Sequence, residues 1–87
     1  MNATVYRLSR GVRLRRETDG EAMLLVPEGI VTLNDTAAAA LELADGSRDL
    51  DAIVAVLAER FDAPQDTLAQ DVRDLFDAML SRGFITG

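Results

Sequence analysis

The polar and apolar positions along these 87 residues change period as the chain proceeds. Val12-Arg13-Leu14-Arg15 alternates with the period of two of a half-buried strand, Val12 and Leu14 facing inward, Arg13 and Arg15 outward. Ala22 to Val26 is apolar throughout, which predicts a central strand covered on both faces. Ile30-Val31-Thr32-Leu33 predicts a third strand with Ile30 and Thr32 on one face and Val31 and Leu33 on the other. Asp19-Gly20 supplies the positive φ angles of a tight hairpin turn between the first two. Pro27 and Gly29 suit the second and fourth positions of a type I turn between the second and third. The three runs predict an antiparallel meander. One side of its third strand lacks a partner unless Thr4 to Leu8 folds back as an extra strand.

Beyond Leu33 the period becomes helical. Asn34, Asp35 and Thr36 are candidate caps for an alanine-rich helix over Ala37 to Ala44, ended by Asp45-Gly46 and small enough in its side chains to lie close against the sheet. Asp49 caps a second helix whose apolar residues Leu50, Ile53, Val54, Leu57 and Phe61 form one stripe. Pro64 opens a third helix, with Leu68, Val72, Leu75, Phe76, Met79 and Leu80 as its stripe and Gly83 as its C-terminal cap. Phe84 and Ile85 return to cover the core. The predicted class is α+β: a single domain over residues 1–87, an N-terminal three-stranded antiparallel sheet followed by three helices, in a winged helix-turn-helix-like arrangement.

Composition narrows the chemistry. The chain has no His, Cys, Lys or Trp, so the usual general base, thiol nucleophile, Schiff-base amine and soft metal ligands are missing. We expect no enzyme, no metal and no cofactor. No apolar run is long enough to span a bilayer and the N-terminus lacks the pattern of a secretory signal, so a cytoplasmic, membrane-free protein is expected. The net charge of −6 is unevenly spread. The first sixteen residues carry five arginines and no acid, while the remainder carries fifteen acids against four arginines. The basic cluster reads as a solvated strand face that blunts a sheet edge, or as a contact for an acidic partner.

A winged helix raises the alternative of a DNA-binding regulator. Against it, the third helix carries Asp66, Asp71, Asp74 and Asp77 against Arg73 and Arg82, and acids repel phosphate. No nucleic-acid partner is expected. Asp45-Gly46-Ser47-Arg48-Asp49-Leu50-Asp51 lacks the ligand spacing and terminal Glu of a calcium loop and reads as a capping segment. Ser47 is the one candidate for a carrier-protein attachment site, which the strand-rich first third disfavours. Peptide binding remains: an unpaired third strand offers main-chain groups to an extended segment, and the third helix forms a second wall.

Arg10-Gly11-Val12-Arg13-Leu14, Leu24-Leu25-Val26-Pro27-Glu28-Gly29, Leu33-Asn34-Asp35-Thr36-Ala37, Asp45-Gly46-Ser47-Arg48-Asp49 and Asp71-Val72, in this order, resemble the PqqD family over Leu8 to Ile85. Val26 departs from the pattern, which has Tyr before the Pro-Glu-Gly turn, and keeps open a recognition element of a different peptide-modification pathway. The resemblance implies a recognition element for ribosomally made, post-translationally modified peptides (RiPPs). It implies a non-catalytic chaperone of pyrroloquinoline quinone (PQQ) biosynthesis that binds the precursor peptide PqqA as an added strand. The chaperone would present PqqA to PqqE, a radical S-adenosylmethionine (SAM) enzyme that holds the cofactors itself. Carried onto this chain, the peptide groove comprises Gly29, Ile30, Val31, Thr32 and Leu33 on one side. Asp71, Asp74, Leu75, Ala78 and Met79 form the other. A monomer or weak homodimer is expected, because a free edge can also pair with a second copy.

Overall fold

The computed structural model describes residues 4–18 and 20–87. The predicted meander is present. Strand β2 (Arg13–Arg16) pairs antiparallel with β3 (Ala22–Val26), and β3 with β4 (Gly29–Leu33). The first hairpin closes where the Glu17 N–H donates to the Glu21 carbonyl at 2.7 Å, with Gly20 at φ +94°. Asp19, the other half of the expected turn, lies outside the described residues. Gly29 closes the second hairpin opposite Val26 at φ +150°, a conformation that favours glycine.

Register sorts the side chains of this sheet into rows. Leu14, Leu24 and Val31 share one row of the inner face, and Arg16, Ala22 and Leu33 the next. Leu24, Ala22 and Leu33 are buried on this side, against helix α1 (Asp35–Glu42). The outer face is not covered as the apolar run of β3 led us to expect. Met23 and Leu25 are only half-buried there, and Ile30 is 64% exposed. The expectation fails because an uninterrupted apolar run states a preference for burial without supplying a covering element.

A second sheet departs from the predicted plan of three strands followed by helices. Strand β1 (Val5–Leu8) lies between β5 (Asp45–Asp49) and β6 (Ile85–Thr86), antiparallel to both. Thr4 to Leu8 therefore does contain a strand, but it joins this second sheet and leaves β4 at the edge of the first. The segment read as a capping loop between the first two helices is extended and paired, with a register shift between Val5 and Arg7. At its end Asp49 still caps helix α2 (Leu50–Phe61), its Oδ1 accepting from the Ala52 N–H at 2.9 Å.

Helix α3 (Gln65–Arg82) begins one residue after Pro64, which takes the extended cap position at φ −58° and ψ 131°. It ends as expected at Gly83, with φ +78°. The Phe84 and Gly83 N–H groups bond back to the carbonyls of Met79 and Leu80 at 2.9 and 3.0 Å, a Schellman closure. Phe76, Leu24, Leu41, Ile53, Leu57, Ile85 and Val72 are the largest fully buried side chains. Phe84 and Ile85 are buried as anticipated, whereas Leu80 of the expected stripe is exposed, one residue past the inward-facing Met79.

Candidate functional site

The open edge of β4 runs into the cap of α1, and the cap faces α3. Asn34 follows Leu33 directly, and its Oδ1 accepts from the Ala37 N–H at 2.7 Å, which ends the strand and starts the helix in one residue. With Oδ1 committed to the backbone, the amide N–H donors of Asn34 have no partner among the described residues. A cavity of about 360 Å³ opens beside this cap, lined by Asn34, Thr36 and Ala37 on one wall and Asp71, Val72 and Leu75 on the other. Its floor is apolar (Ala37, Val72, Leu75), and its polar groups are an amide, a hydroxyl and a carboxylate.

Of the residues named from sequence, Asp71 and Leu75 line this cavity and Leu33 leads into it. Gly29, Ile30 and Thr32 lie exposed along the β4 edge, and Val31 is half-buried. Asp74 and Ala78 are exposed on α3 near Leu75 but do not line the cavity, and Asp74 accepts a bond from the Gln70 side-chain amide at 2.9 Å. Met79 is buried in the core beneath the same helix. Asn34, Thr36, Ala37 and Val72 were not named for the site. Their sequence signals, a cap and an apolar stripe, pointed to structural roles, although all four fall within motifs that carry the family resemblance.

The exposed surface of α3 presents Asp66, Asp71, Asp74 and Asp77 against Arg73 and Arg82, a face that repels phosphate. Together, a strand edge with free main-chain groups, a part-apolar cavity and an acidic helix can hold an extended peptide and discriminate among its side chains. Among the described residues, no helix is long and apolar enough to cross a membrane.

Three comparisons bear on this geometry. The family described as coenzyme PQQ synthesis protein D (PqqD) matches residues 21–85. The PqqA binding protein of Rhizobium meliloti is 44% identical over 72 residues, covering 82% of this chain and 74% of that protein. The solution structure of the PqqD truncation of Methylobacterium extorquens PqqCD, characterised as a functional, stand-alone RiPP recognition element, superposes with a TM-score of 0.83. That match has 30% identity and covers 99% of this chain and 94% of that one. TbiB1 in complex with the TbiA(beta) leader peptide shares the fold alone, with a TM-score of 0.77 at 20% identity over 93% of this chain and 95% of that one.

Proposed function

This chain belongs to the PqqD family, and from that premise we propose that it is a non-catalytic chaperone of PQQ biosynthesis. It binds the precursor peptide PqqA as a strand added to the free edge of β4 and presents that peptide to the radical SAM enzyme PqqE. The observation that carries the reading is the open β4 edge leading into the cavity between the α1 cap and α3. Main-chain groups of Gly29, Ile30, Val31, Thr32 and Leu33 supply affinity. Asp71, Asp74, Leu75 and Ala78, with Met79 supporting the helix from the core, supply selectivity. Relatives named PqqA binding protein support the choice of peptide. The absence of His, Cys and Lys leaves the bond-forming chemistry to the partner enzyme. The protein works in the cytoplasm as a monomer or weak homodimer, since the edge that takes the peptide can also pair with a second copy.

Alternate residues of an antiparallel edge strand bond inward, so of the neighbours Val31 and Thr32 one turns its N–H to the free edge. Proline removes that donor. Calorimetry with synthetic PqqA is expected to show binding abolished in either Val31→Pro or Thr32→Pro, with the fold checked by amide spectra. Undiminished binding by both folded variants would sink strand addition.

A further inference from the structure

A peptide at the β4 edge leaves the outer face of the same sheet unexplained. By register, Arg13, Leu25 and Ile30 stand side by side across it, and Arg15, Met23 and Thr32 form the neighbouring row. A strand face left to water ordinarily carries polar residues, yet half of these six positions are large and apolar. The flank formed by β2 is basic. Arg13 is exposed and has no carboxylate partner among the described residues, and Arg15 reaches only Glu17, at 3.2 Å, with its side chain 61% exposed. The patch is thus an apolar centre with a positive rim on a chain whose net charge is −6.

We propose that this outer face docks a second folded protein through an apolar patch rimmed by carboxylates, and that a strand added at β4 widens the docking face. The first part follows from charge and apolar area. The second follows from the pleat. A strand beside β4 continues the rows of Ile30 and Thr32, so alternate side chains of the added peptide emerge on the outer face while the others turn toward the inner side. A partner seated on Arg13, Leu25 and Ile30 therefore also touches the peptide, and it distinguishes the loaded protein from the empty one. The inference rests on the peptide-binding reading above, and the partner is the enzyme that acts on the docked peptide.

The test titrates PqqE into the wild-type chain and into the double variant Arg13→Glu/Arg15→Glu, with and without PqqA, and measures PqqA binding to each separately. The exposed pair is expected to tolerate charge reversal, and Leu25→Ser probes the apolar centre independently. Expected are wild-type PqqA affinity in the charge-reversed variant and PqqE affinity weakened at least about tenfold. The wild-type PqqE affinity should fall with added salt and rise when PqqA is present. Unchanged PqqE affinity in both variants overturns the proposal. So does a wild type that never associates with PqqE, or one that uses this face to pair with a second copy. Failure of the wild type to bind PqqA would fall on the peptide-binding reading instead, and the PqqE titration without peptide would still judge the docking face.

Discussion

The ring of Tyr6 meets the ring of Phe76 edge-on, centroids 5.1 Å apart and planes at 77°. Tyr6 belongs to β1 and Phe76 to the middle of α3, so the contact joins the second sheet to the helix that walls the cavity. Phe76 is fully buried, and its replacement by Ala is expected to cost about 3–5 kcal/mol. Tyr6→Ala is expected to cost less, because Tyr6 is only partly buried. A double-mutant cycle in urea should return a coupling of about 1 kcal/mol. A coupling near zero would show that the two rings merely share a core.

Asn34 separates two roles that one side chain performs. Asn34→Ala removes the cap and is expected to lower stability by about 1 kcal/mol. Asn34→Asp retains an oxygen for the Ala37 N–H and adds a negative charge where the α1 dipole favours it, so the melting temperature should hold or rise. The aspartate lacks the amide donors at the cavity, and PqqA should bind it more weakly. Thermal melts paired with calorimetry check both halves. Wild-type affinity in Asn34→Asp would remove this residue from the groove.

Gly46 combines a close approach with a positive φ inside β5. At φ +87°, an added Cβ would come within 2.5 Å of the Arg7 guanidinium. Gly46→Ala is expected to destabilise by about 1–2 kcal/mol through the left-handed backbone alone. Arg7 has a flexible end, so Arg7→Ala in the same background should recover only a small part of the loss. Full recovery in chemical denaturation would locate the cost in the clash rather than the backbone.

The carboxylate of Asp45 accepts from both the hydroxyl and the N–H of Ser47, at 2.5 and 3.0 Å, and these bonds hold its pKa below the ordinary aspartate value, aided by Arg48. The folded value is depressed, so the stabilisation is present above the unfolded value and is lost as pH falls through the folded one. Carboxyl-carbon shifts followed by NMR should show Asp45 titrating below the ordinary aspartate range. Ser47→Ala should move it upward. A titration indifferent to Ser47→Ala would mean that the hydrogen bonds do not persist in solution.

The meander and the three helices were legible because each rests on local signals: alternation in Val12 to Arg15, the Pro27 and Gly29 turn, and the stripes of α2 and α3. Strand β5 was not, since Asp45-Gly46-Ser47-Arg48-Asp49 contains no apolar residue, and its extended form comes from pairing with β1. The two residues of β6 are too few to carry a period, although the burial of Ile85 was anticipated. Only two of the six residues lining the cavity were legible, for a related reason. Asp71 and Leu75 stood out on α3, whereas Asn34, Thr36 and Ala37 advertise a helix start, and only their position opposite α3 makes them part of a wall.

Strand β1 is flanked by β5 from mid-chain and by Ile85–Thr86 from the far end. It precedes its two neighbours in the chain and is complete on both sides only once both have been made. The β2–β3–β4 meander needs only short loops to close, and it can form while the rest of the chain is still being made. The second sheet must wait for Ile85–Thr86, and pairing that segment with β1 closes a far longer loop than either hairpin does, the slow kind of contact in folding. One side of β1 can pair as soon as Asp45–Asp49 is made, but the other stays bare until Ile85–Thr86 follows, which leaves Val5–Leu8 with an open edge for mispairing in the interval.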